Sequence, residues 1–194
     1  MLQQARQVHG RAVTRANGWS PDSAPEADAV ISRDASVACA VRTADCAPVL
    51  VGCRATGAVA AIHAGWRGIA LGVIGTAIEA MVRDLGATPS AMVAAVGPCA
   101  RACHYEVGEE VAAAMAGTGC ADAVVRRPDA PRPFLDVARA AALQLAAAGV
   151  SPDCIDADPP CSIESLWCPS HRRDPSSGAR MLSLIVARDH PHHG

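Results

Sequence analysis

Outside the C-terminal "DHPHHG", which reads as a frayed and solvated end holding His190, His192 and His193, the chain carries four histidines: His9, His63, His104 and His171. Two of them stand where an apolar stretch ends. His9 in "RQVHGRAV" and His63 in "AAIHAGWRG" are each followed closely by glycine, which leaves room for backbone or ligand to approach. Cys46 in "RTADCAP" falls between them in the sequence, at another junction of strand and loop. Imidazole and thiolate suit zinc and copper, so these three side chains, each at a strand end, could converge on one ion. Their separations match no zinc-finger pattern. Spacing therefore leaves other readings open, in which the histidines hydrogen-bond backbone and Cys46 fills a core gap, or Cys46 is a nucleophile with His63 as its base.

Arginine forms the second constellation. All 17 lysine-or-arginine residues are arginine, which excludes Schiff-base chemistry and a P-loop lysine. An anion must then be met by arginine, histidine, a metal or backbone N–H groups. Arg67 in "GWRG" lies where a strand passes into a helix, whose first amides favour anions. Arg172 and Arg173 occupy "SHRRD", and the planar guanidinium fork suits phosphate. Asp45, beside Cys46, reads equally as a carboxylate for proton transfer and as a turn-capping aspartate.

The elements that must position these groups follow from pattern. "AVISRDASVACAVRTADCAPVLV" gives two or three short strands, with Val37–Val41 and Val49–Val51 the clearest, and "AVAAIHA" and "AMVAAVGP" give two more. Ile69, Val73, Ala77, Met81 and Leu85 recur at helical spacing before a stop at Gly86. Further helices are expected from about Gly108 to Met115 and over "LDVARAAALQLAAAGV", with a short strand near Val124 and a last one at "MLSLIVA". Strands both alternate with helices and cluster ahead of the first. The expected fold is therefore α/β (α+β), one compact domain over residues 1–189 with a mixed β-sheet flanked by helices and a disordered tail at 190–194.

At 194 residues and 51% hydrophobic content the chain can bury a substantial core. A formal charge of −2 gives no footprint for nucleic acid or an anionic membrane, so small molecules are the expected partners. With neither a signal-peptide core nor a membrane-length apolar run, the chain reads as cytoplasmic. Its nine cysteines are an odd number without repeated short spacings, and Cys39, Cys53, Cys99, Cys120, Cys154 and Cys161 read as reduced core filler.

Taken in order, "QVHG", "TADCAP", "HAGWRG", "GPCARACHYEVG", "FLDVARAAALQLAAAGV" and "SHRRD…SGAR" resemble the YfiH-like family, known both as laccase-domain or polyphenol-oxidase proteins and as purine nucleoside phosphorylases. The resemblance runs from His9 to Val186. It implies a zinc ion, with copper as the alternative, held by His9, Cys46 and His63, and a pocket for a purine nucleoside and phosphate. The implied reactions are phosphorolysis of adenosine, inosine, guanosine and methylthioadenosine, with adenosine deamination beside it. Peptidoglycan-precursor editing is assigned to some members.

Three protein ligands leave zinc a fourth position, as catalytic sites do, for a water that could attack purine C6 while Asp45 shuttles protons. Phosphorolysis would set Arg67, with Arg172 or Arg173, on the phosphate, and His171 or Tyr105 as donor to base or ribose. A cupredoxin-type laccase fits poorly, since its trinuclear cluster takes about eight imidazoles. A Cys-His hydrolase and a non-enzymatic metal-binding domain are the remaining readings. Two departures from the family stand out. The family usually carries a further segment before "QVHG", whereas the sequence here starts eight residues before His9, and Arg101 replaces a glycine of the "GPxIGxxxYEVG" pattern, where it is expected to reshape the pocket wall.

Overall fold

The computed structural model describes residues 1–188, so the expected frayed tail lies outside the described residues. The strands are β1 (Leu2–Gln3), β2 (Val13–Arg15), β3 (Ala29–Ser32), β4 (Ala38–Thr43), β5 (Ala47–Cys53), β6 (Val59–Ala64), β7 (Met92–Val96), β8 (Val124–Val125), β9 (Phe134–Leu135), β10 (Ile155–Asp156) and β11 (Met181–Val186). The helices are α1 (Trp66–Ala70), α2 (Val73–Leu85), α3 (Glu109–Gly117) and α4 (Val137–Ala147).

A six-stranded mixed sheet, ordered β10-β7-β5-β6-β3-β2, forms the centre. Its four inner strands pair antiparallel, and β10 and β2 add in parallel at the edges. Period-two alternation sends Val49 and Val51 of β5 and Ala60 and Ile62 of β6 to the face covered by helices, where Ile74, Met81 and Leu145 meet them. The opposite face, with Val30, Val59 and Ala61, packs on Cys39 and Val41 of β4. That strand belongs to a second sheet, β1-β4-β11. The expected mixed sheet flanked by helices is thus observed, with a small sheet as a third layer that the sequence pattern did not separate. No helix among the described residues is long and apolar enough to cross a membrane.

The helix expected from Ile69 to Leu85 is two helices. Gly72 breaks it at φ +80°, a left-handed conformation that costs glycine little. The heptad-like stripe survives in α2, whose Val73, Ala77, Met81 and Leu85 are all buried. Gly86, also left-handed, closes α2 by donating its N–H to Val82 O at 3.2 Å. Asp136 caps α4, its carboxylate accepting from the Arg139 amide at 2.9 Å. The break lets the short α1 turn at the end of β6, so Trp66 and Arg67 stand at the mouth of the strand ends.

Ile62 is fully buried in the middle of β6. Ile62→Ala should lower unfolding free energy by about 2–5 kcal/mol in urea denaturation, because a buried side chain is removed from a layer that can only partly collapse.

Candidate metal centre and cavity

His63 is the penultimate residue of β6, and strand parity turns it away from the helices, on the same face as Ala61. Antiparallel pairing with β3 brings it beside Asp28, whose backbone oxygen accepts from the His63 amide at 2.7 Å. The Asp28 carboxylate accepts from His63 Nδ1 at 2.8 Å. The same carboxylate accepts from the amides of His9 at 2.9 Å, Gly10 at 2.7 Å and Val8 at 3.3 Å. One buried acid thus fixes the ring of one histidine and the backbone of the other. His9 itself is left-handed at φ +60°, a region that histidine and aspartate enter more readily than most residues.

Cys46 leads into β5, where Ala47 pairs with Ala64, and so lies next to Gly65. A Cβ at Gly65 would stand 2.7 Å from Cys46 Sγ, a clash that no real Cβ tolerates, so glycine is required there for the thiol to reach its place. Asp45 is left-handed at φ +82°. Its carboxylate accepts from Ser162 Oγ at 2.7 Å and from the Arg172 amide at 2.6 Å. Both oxygens are therefore engaged in tying the ligand turn to the segment Ser162–Arg172.

The donor atoms of His9, Cys46 and His63 lie within 4.8 Å of one another, and the two imidazoles meet edge to face with centroids 4.8 Å apart. Burial would raise the Cys46 thiol, but hydrogen bonds and charge from the His63 and His9 imidazoles bring it down to about 7. Burial would likewise discharge His63, yet the Asp28 hydrogen bond and the Cys46 thiolate hold it at about 9. Asp28 stays below the usual aspartate value despite burial, because His63 and the amides of Gly10 and Val8 donate to it. A thiolate already favoured near neutrality, two imidazoles and a carboxylate oriented on one ring nitrogen fit zinc or copper chemistry.

The three donors open into a cavity of about 720 Å³ that Arg67, Tyr105, His171 and Arg172 also line. The Arg67 guanidinium stacks 4.4 Å from the Trp66 ring centroid, and that of Arg172 lies 4.8 Å from the Tyr105 ring centroid. Trp66 packs against the core as well as facing the cavity.

Arg173 is not brought to this wall. Its guanidinium is spent on Asp174 and on the carbonyls of Ser162, Ile163, Ser165 and Cys168, so it knits its own loop. Arg101 also stays off the wall, bound to Asp136 at 2.9 Å and to Asp158 at 3.1 Å.

Sequence reasoning missed Arg42, Arg180 and Gln7, all of which line the cavity. The Gln7 amide pairs with the Arg42 backbone through two bonds of 2.8 Å, much as a neighbouring strand would. It also missed Asp28, for which the only signal is an acid at the threshold of the apolar run "AVIS".

Fold and site together define an α+β protein in which soft donors from three separate chain segments converge at the base of an arginine-lined cavity. The chain belongs to the multi-copper polyphenol oxidoreductase laccase family, whose model matches residues 1–188. It is 41% identical over 174 residues to purine nucleoside phosphorylase ORF3 of Streptomyces griseus, covering 89% of this chain and 69% of that one. The Bacillus licheniformis hypothetical protein YfiH superposes with a TM-score of 0.88 at 25% identity, over 96% of this chain and 74% of that one. The Neisseria meningitidis protein NMB0706 gives 0.83 at 35% identity, over 97% and 75%. The resemblance read from the motifs is therefore correct.

Two measurements probe the centre. In metal-free protein, iodoacetamide should alkylate Cys46 with a midpoint near pH 7 rather than the ordinary thiol value, since a lowered pKa keeps the reactive thiolate present down to that pH. Asp28→Asn should weaken zinc binding by about 10–100-fold in a chelator competition, because the candidate ligand His63 loses its orienting carboxylate.

Proposed function

We propose that the protein is a zinc-dependent purine nucleoside phosphorylase acting on adenosine, inosine, guanosine and methylthioadenosine, with the ion held by His9, Cys46 and His63. The observation that carries this reading is the convergence of those donors at the base of a cavity whose wall presents Arg67 and Arg172. The phosphorylase name borne by the Streptomyces griseus relative supports it.

In phosphorolysis a phosphate oxygen forms a bond to C1′ as the C1′–N9 bond breaks, and the electron pair leaves with the purine, which must gain a proton or a strong hydrogen bond. Arg67 and Arg172 would hold and neutralise phosphate, with Arg42 and Arg180 adding positive charge at the same wall. Burial raises the Tyr105 phenol above its ordinary value, so it remains a donor at neutral pH and can bond to ribose or base. His171 is the second donor on that wall. Bound zinc supplies Lewis acidity and positive charge where negative charge develops. Asp28 acts as a positioning residue through His63 and His9. Asp45 positions the Cys46 turn, and we retain it, as an acid on the cavity lining, for proton transfer.

A three-donor set leaves a fourth coordination position, and this favours adenosine deamination as a second activity of the same cavity. The donor set would also accept copper. Polyphenol oxidation ranks lower because, among the described residues, the cavity presents only His9, His63 and His171 as imidazoles. Nine free thiols support a reducing compartment, and we place the protein in the cytoplasm.

The test is phosphate-dependent conversion of inosine to hypoxanthine. Wild type should turn over only with phosphate present, and Cys46→Ala should lose both zinc and turnover. Arg67→Ala should raise the phosphate KM by about 10-fold, the loss of one charge-assisted hydrogen bond of about 1.5 kcal/mol. A Cys46→Ala protein that keeps its zinc and its activity would overturn the reading.

A further inference from the structure

We propose that Cys103, His104 and Cys161 form a second metal site, structural in character, for a zinc-class divalent cation, with the Glu164 carboxylate as fourth ligand. One donor atom from each of the first three residues lies within 4.8 Å of the others. A tetrahedral ion with bonds of about 2.0–2.3 Å spaces its donors roughly 3.3–3.8 Å apart. Cys103 and His104 are exposed, so their side chains are free to turn toward Cys161 and narrow the remaining gap. Glu164 Oε2 stands 4.0 Å from Cys103 Sγ, placing a fourth donor on the same cluster.

The backbone beneath these donors is already fixed. Cys161 is buried and its backbone pairs in parallel with that of Cys99, the Ser162 amide donating to Cys99 O at 2.9 Å, while both thiols stay free. The Ser165 amide donates to Cys161 O at 2.9 Å, closing the turn that carries Glu164. On the other side, the His104 amide donates to Arg101 O at 3.1 Å, and the Arg127 guanidinium donates to Ala102 O at 2.6 Å. Two rigid turns, widely separated in sequence, thus present two thiols, an imidazole and a carboxylate to one point.

None of these residues lines the arginine-walled cavity, so the site is separate from the one formed by His9, Cys46 and His63. Its chemistry also differs. Three donors opening into a cavity leave a place for substrate, whereas two sulfurs, a nitrogen and a carboxylate complete a tetrahedron, as structural zinc sites do. Binding exchanges two thiol protons for two metal–sulfur bonds, with both protons released to solvent and no change of oxidation state. The ion would clip the turn leading into Tyr105 to the segment whose Ser162 and Arg172 bond Asp45. It would thereby hold two parts of the cavity wall in register.

The experiment uses full-length Cys46→Ala protein, which removes the first site, titrated with cobalt(II) under anaerobic, reducing conditions. We expect one equivalent bound with thiolate-to-cobalt charge-transfer absorption and tetrahedral d–d bands, displaced by zinc. Both signals should vanish when Cys103→Ser or His104→Ala is added, changes at exposed positions whose folding is checked by the urea midpoint. In the chain with Cys46 intact, Cys103→Ser should lower zinc content from two ions to one. The proposal is overturned if Cys46→Ala binds no cobalt through thiolate. It is overturned equally if the bands persist in Cys103→Ser, which would mark an adventitious ion only, or if peptide mapping finds Cys103 and Cys161 joined as a disulfide. None of these readouts needs nucleoside turnover, so failure here is distinguishable from failure of the phosphorylase reading.

Discussion

The Asp28 carboxylate, wholly removed from solvent, accepts hydrogen bonds from three consecutive amides of the His9 loop and from the His63 ring. Burying such a charge without partners costs several kcal/mol, so the loop and the ring are the conditions under which Asp28 can remain ionised inside the fold. The dependence also runs the other way. The His9 loop precedes β2 and has no strand partner of its own at Val8–Gly10, and the carboxylate supplies the acceptors those amides lack. Because Asp28 occupies Nδ1 of His63, only Nε2 is left to face Cys46 and His9, which sets the tautomer a metal ligand needs.

Asp45 does for the opposite wall what Asp28 does for the base. Its left-handed backbone turns Cys46 toward the histidines, at a conformational cost of about 1–3 kcal/mol for a non-glycine residue in that region. Its side chain offsets that cost by bonding Ser162 and the Arg172 amide. The second of these bonds anchors the backbone of Arg172, whose guanidinium donates to Glu106 O at 2.9 Å and lies over Tyr105. A ligand turn and a cavity wall are therefore set by one residue, and a change at Asp45 would act on both together.

Much of this was legible from residue pattern and some of it was not, for identifiable reasons. Strands such as "AVAAIHA" and the stripe from Val73 to Leu85 declare themselves because burial imposes periods of two and of 3.6 residues. The convergence of His9, Cys46 and His63 does not follow from spacing, since it depends on the pairing of β5 and β6 and on the docking of the His9 loop. It entered through motif resemblance. Asp28 gave almost no signal because a buried acid is identified by its partners, here amides that any residue type would supply. Arg172 and Arg173 are adjacent and chemically identical in the sequence. Only the folded loop separates the one facing the cavity from the one enclosed by carbonyls. Two-residue strands such as β1 and β10 are too short to impose a pattern, and the patterns of β4 and β11 show that they are strands but not that they pair with each other, which is why the second sheet went unseen.

On the proposed function, the charges around the cavity would connect metal loading to anion binding. Without a metal, the base holds the Asp28 carboxylate, a Cys46 thiolate favoured above about pH 7 and a His63 imidazolium. Two negative groups then face one positive group, which works against a phosphate entering from the arginine side. A divalent ion can bind only as the His63 ring gives up its metal-facing proton, and it replaces one positive charge with two. The base then becomes neutral while Arg42, Arg67, Arg172 and Arg180 remain on the wall. Loading the ion and admitting an anion would therefore be coupled through charge alone. The four arginines keep their own charge fixed throughout, because no guanidinium there can lose its proton as a lysine in the same surroundings could.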